Sequence, residues 1–94
     1  MCTMITERAP IGLGRGKNGP DWFVVNEANV SYDHPYELPL EHALNIDFVN
    51  GGGGPGARVA VELSVEAARA LVRTIESVLA EADRRGVLED RALA

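Results

Sequence analysis

From Ser64 to Arg85 apolar side chains return every three or four positions, and no other pattern in the chain restricts its fold as much. Val65, Ala68, Leu71, Val72, Ile75, Val78, Leu79 and Ala82 share one stripe of a helix, while Glu66, Arg69, Arg73, Glu76, Glu81 and Arg84 share the opposite surface. The ends are marked as clearly as the middle. Ser64 is a natural N-cap, and Glu66 suits the positive end of the helix dipole; Arg84 and Arg85 suit the negative end, and Gly86 is placed to take the left-handed conformation that commonly ends a helix. A helix over about 64–85 is about 31 Å long at 1.5 Å per residue. Its stripe demands a partner surface, because helices of this length owe most of their stability to packing.

Strand patterns earlier in the chain supply such a surface. Residues 2–11 alternate loosely and are broken by Pro10, which reads as an edge strand. Residues 22–32 read as one long strand with Trp22, Val24, Ala28, Val30 and Tyr32 on its apolar face, unless a bulge or turn at Asn26-Glu27 divides it in two. From His42 to Val49 alternation sends His42, Leu44, Ile46 and Phe48 inward and Ala43, Asn45 and Asp47 outward. Arg58 to Leu63 repeats the pattern, with Val59, Val61 and Leu63 inward, and is expected to pair antiparallel with the strand before it. Between these segments, 12–20 carries four glycines and reads as a flexible loop, 33–41 is held extended by Pro35 and Pro39, 50–56 is a glycine-rich mobile connector, and 87–94 is a short tail. The expectation is one α+β domain over residues 1–94: an antiparallel sheet of about four strands packed on one long C-terminal helix. Its stripe would lie on the sheet side that bears Leu44, Ile46, Phe48, Val59 and Val61.

Composition narrows the partners. Ninety-four residues at 46% hydrophobic and 24% charged are enough for one core and well away from the signature of disorder. A net charge of -5, with the nine basic residues scattered, argues against a nucleic-acid partner. Cys2 stands alone, so no intramolecular disulfide can form, and a reducing compartment is expected. No apolar stretch reaches the length of a signal peptide or a membrane span, and the expected location is the cytoplasm.

Chemistry is thinner. The loop Gly12–Gly19 resembles a phosphate cradle only superficially. A P-loop needs glycine where this chain has Ile11, Ser or Thr where it has Asn18, and a following helix where a strand is expected. Both histidines fall between Asp33 and His42 together with three carboxylates, and Asp47 follows. His34, His42, Asp33 and Asp47 are therefore the candidate ligands for a divalent metal, or the groups of an acid/base site, although His34-x7-His42 is not a diagnostic spacing. Trp22, Tyr32 and Tyr36 are candidates to line a small-molecule pocket. Asn45 and Arg58, with Glu27, Asn29, Asp47 and Glu62, fall on the outward sheet face, a candidate binding or self-association surface. Ser31, Ser64 and Ser77 lack a nucleophile context. With no complete catalytic constellation, the expected function is a non-enzymatic binding or interaction module, acting as a homodimer or with a protein partner. A metal-dependent or acid/base enzyme and a small-molecule binder are the alternatives.

The runs Met1-Cys2-Thr3, Trp22-Phe23, Tyr32-Asp33-His34-Pro35, Glu41 to Phe48 and Ala57 to Leu63 resemble small actinobacterial proteins grouped as a domain of unknown function, and the similarity covers nearly the whole chain. The resemblance implies a one-domain bacterial protein and brings no activity, cofactor or site residue with it.

Overall fold

The computed structural model describes residues 5–54 and 56–89 of the chain. Cys2, the start of the first predicted strand, Pro55 and the end of the predicted tail lie outside them. Two compact units make up the chain, Met1–Ser64 and Val65–Ala94.

The first unit is built from β1 (Ile5–Pro10), β2 (Arg15–Asn18), β3 (Asp21–Val24), β4 (Glu27–Asp33), β5 (Ala43–Val49) and β6 (Arg58–Leu63). Four of them form an antiparallel sheet in the order β1-β4-β5-β6, and β2 and β3 pair separately as a second small sheet. Pro10 closes the edge strand β1, as expected of a residue that cannot donate to a ladder. The registers turn alternation into two surfaces. Tyr32, Leu44 and Leu63 form one cross-strand row, Val30, Ile46 and Val61 the next, and Ala28, Phe48 and Val59 a third, all on one face. The other face carries Ser31, Asn45 and Glu62, then Asn29, Asp47 and Ala60, then Glu27, Val49 and Arg58.

One open alternative is resolved and two expectations need correction. The stretch 22–32 is two strands, divided at Val25 and Asn26, where the backbone NH of Val25 donates to Gly14 O and that of Asn26 to Val49 O. The stretch 12–20 is half of a β-hairpin. Gly19 takes a φ of 63° ahead of Pro20, which allows β2 and β3 to be joined by two residues. A Cβ on Gly16 would stand 3.0 Å from Val25 Cγ2 and 3.1 Å from Phe23, so this glycine serves close packing rather than mobility. Asn18 Nδ2 then ties the hairpin to the main sheet by donating to Gly56 O at 2.9 Å. Between the hairpin and Phe48 and Val59 lies a cavity of about 300 Å³, so the hairpin shelters that end of the apolar face. The connector after β5 is likewise folded back: Asn50 NH donates to Ala57 O, and Asn50 O and Oδ1 accept from Gly53 and Gly52.

Among the described residues those that are buried belong to the first unit: Val25, Ala28, Ala43 and Ala57. Ala43 keeps the outward position that the alternation gave it, yet it is fully buried there. It lies on the same face as Glu62, to which residues 36–38 are tied.

The second unit contains α1 (Val65–Arg84). Its C-terminus is closed by a Schellman motif: Val87 NH donates to Ala82 O, Gly86 NH to Asp83 O, and Gly86 has a φ of 74°. Both ends thus fall where the sequence signals placed them. No residue of α1 is buried, and Val65, Leu71, Val72, Ile75, Val78 and Leu79 remain 43% to 62% exposed. Among the described residues no helix is long and apolar enough to cross a membrane.

Candidate functional site

The polar face of the sheet is organised by Glu62. Pro35 and Pro39 keep the segment between β4 and β5 out of regular structure, so its backbone NH groups need acceptors from elsewhere. The Glu62 carboxylate supplies them, accepting from Tyr36 NH at 2.6 Å, Glu37 NH at 2.9 Å and Leu38 NH at 3.1 Å. Those donors, Tyr36 first, hold the Glu62 carboxyl below its ordinary value against a smaller opposing effect of desolvation. Two residues along the same face, Asp47 Oδ1 accepts from Arg58 Nε at 3.1 Å and Nη2 at 2.8 Å.

The space between this anchored segment and the strands is a cleft of about 220 Å³, lined by Ser31, Asp33, His34, Tyr36, Asn45, Asp47, Arg58, Ala60, Val61 and Glu62. Asn45 is its unusual member. Among the described residues its Nδ2 reaches only the Asp33 carbonyl, at 3.4 Å, and its buried Oδ1 has no donor. A buried acceptor left unpaired is costly, so a group that brought a donor into the cleft would gain from it.

The candidate metal residues divide. Asp33, His34 and Asp47 line the cleft, while His42 stands outside that lining, stacked on Tyr32 with centroids 5.6 Å apart and on His34 at 5.0 Å. The His34 and His42 ring planes lie 25° apart. Their nitrogen lone pairs, which lie in those planes, therefore run alongside one another. Among the described residues no group of three or more His, Cys, Asp or Glu side chains is gathered as a metal shell.

The candidate binding residues divide too. Tyr36, Asn45 and Arg58 share the cleft. Tyr32 is on the apolar face, in a groove of about 350 Å³ with Ile5, Val30 and Leu44. Trp22 is 59% exposed on β3, with the Lys17 ammonium 6.0 Å from its ring centre. Sequence reading placed Glu62 on this face but missed its anchoring role. Its partners are 24 to 26 positions away, and outward parity was the one signal available.

On α1 the exposed stripe is flanked by charge. Glu81 takes Arg84 and Arg85 as partners, Arg84 first in holding its carboxyl below the ordinary value. Arg69 and Asp83 form no ion pair among the described residues.

A family model described as a family of unknown function (DUF6295) matches residues 1–88. No curated protein and no solved structure matches the chain.

Proposed function

The chain belongs to this family of unknown function, so a reading of its role must start from its own surfaces, and we propose that it is a cytoplasmic, non-enzymatic interaction module that works as a homo-oligomer. The observation that carries this reading is the open stripe of α1, with six large aliphatic side chains 43% to 62% exposed. Fully burying a Val, Leu or Ile is worth about 1.5–3 kcal/mol, so covering the remaining half of six gives at most about 5–9 kcal/mol per copy. Two copies that cover each other gain twice that, against an association cost of about 4–15 kcal/mol. Sedimentation velocity on the full chain tests it: a dimer is expected to grow in between about 1 and 100 µM by mass action. A strict monomer across that range refutes self-association.

The cleft supports a second reading, a small molecule that offers a hydrogen-bond donor to Asn45 Oδ1, which has none. A thermal-shift screen against a metabolite library is expected to give hits that Asn45→Ala abolishes. Hits unchanged by that substitution, or none, would remove this reading.

A further inference from the structure

Resting on the reading of self-association, we infer that the surface joining two copies is α1 itself, paired antiparallel with the same helix of a second copy about a two-fold axis at Ile75. From Ala68 to Ala82 the stripe is a palindrome, and Val65, whose mirror position is Arg85, lies outside it. Reading outward from Ile75 in either direction gives Val then Leu at three and four residues (Val72 and Leu71, Val78 and Leu79) and Ala at seven (Ala68 and Ala82). In an antiparallel pair centred on Ile75 each level therefore sets like against like. Ile75 meets Ile75, Leu71 meets the partner's Leu79, and Ala68 meets the partner's Ala82. Large side chains fill the centre, and alanines let the helices approach at both ends, consistent with the usual interaxial distance of about 8–10 Å. A two-fold interface requires such a self-complementary patch.

Two of the α1 charges that form no ion pair among the described residues agree with the same axis. At 100° and 1.5 Å per residue, Arg69 and Asp83 fall on the same flank of the stripe, about 9 Å and about 12 Å from the level of Ile75 in opposite directions. They are too far apart to meet within one helix. An antiparallel two-fold brings Arg69 of one copy to within about 3 Å of the level of the partner's Asp83, on the same flank, and does so twice. Glu76 lies near the axis on that flank and faces its own counterpart, one like-charge contact against two attractive ones. A parallel pair would set the two helix dipoles side by side in the same direction, leave Arg69 facing Ala67 and Ala70 of the partner, and bring Asp83 only to Arg85, which Glu81 already holds.

Three measurements on the full chain test the geometry. In a Cys2→Ser background, mixing Ala68→Cys with Ala82→Cys protein under mild oxidation is expected to give the mixed disulfide and little of either self-linked product. Self-linked Ala68→Cys would mean a parallel pair and overturn the inference. Arg69→Glu and Asp83→Arg are each expected to raise the dimer dissociation constant about tenfold, since each disturbs two exposed pairs per dimer. The double variant Arg69→Glu/Asp83→Arg is expected to restore it to within about threefold, and Glu76→Gln to lower it several-fold. These are exposed substitutions, so folding is retained and can be checked by circular dichroism. A chain that dimerises with no mixed disulfide and no response to the charge swap uses another surface, which overturns this inference and leaves self-association standing. A strict monomer overturns both.

Discussion

Ile75→Ala separates a stripe that is open in one chain from a stripe that is buried. In the single chain Ile75 is 50% exposed. Truncation to alanine therefore removes about half of the ~1.5–3 kcal/mol that full burial of an isoleucine provides, or about 1 kcal/mol. The better helix propensity of alanine returns roughly 0.5 kcal/mol. The net loss in a dilute, single chain is about 0.5 kcal/mol, inside the error of most denaturation experiments. On the axis of a helix pair the same residue is buried twice, and each truncation costs about 2–5 kcal/mol. Urea denaturation followed by circular dichroism at about 1 µM and about 100 µM reads the difference, because a dimer is stabilised by concentration and a monomer is not. The wild-type midpoint is expected to rise with concentration, and that of the variant to stay nearly fixed close to the dilute wild-type value. A loss of more than about 2 kcal/mol at the lowest concentration, with no concentration dependence in either protein, would refute the reasoning. The stripe would then be buried within one chain.

Other perturbations test the first unit and the helix end. Glu62→Gln leaves two or three backbone donors competing for one carbonyl oxygen, and amide exchange at 36–38 is expected to quicken. The folded carboxyl titrates below 4.5, so its stabilisation is present above that value and is lost as pH falls through the folded value. The stability gap between wild type and Glu62→Gln should therefore shrink as the pH falls below the ordinary carboxylate range, and a gap constant with pH would show that the carboxylate charge plays no part. Gly86→Ala forces a side chain into a φ of 74° and should cost about 1 kcal/mol, read as faster exchange in the last turn of α1. Gly53→Ala puts a Cβ 2.7 Å from that of Ala57, which is 6% exposed. A loss of about 1–3 kcal/mol in chemical denaturation is expected there, and a neutral result would mean that the turn shifts freely.

Much of this was legible from local signals. Both ends of α1, the edge position of β1, the antiparallel pairing of β5 with β6 and the two faces of β4, β5 and β6 follow from periodicities of two and 3.6 and from residues with restricted φ, whereas Trp22 and Val24, read on the apolar face of one long strand, lie exposed in the separate β2–β3 sheet. The hairpin of β2 and β3 was not legible. Gly14, Gly16 and Gly19 read as flexibility, and only the positions of Ile11, Phe23 and Val25 show that two of these glycines make room for packing. The cleft was half legible. Parity placed Asn45, Asp47, Arg58 and Glu62 on one face, yet no spacing announces that Glu62 captures three amides some 25 positions back or that Asn45 keeps a buried oxygen without a donor.

The sequence alone determined which residues prefer water and which do not, strand by strand and around the helix, because that preference is a property of each side chain and its period. Which polar groups meet and which small residues are sealed in were decided only by the tertiary structure. Those outcomes depend on segments far apart in the chain arriving at the same place, and no local pattern carries that distance.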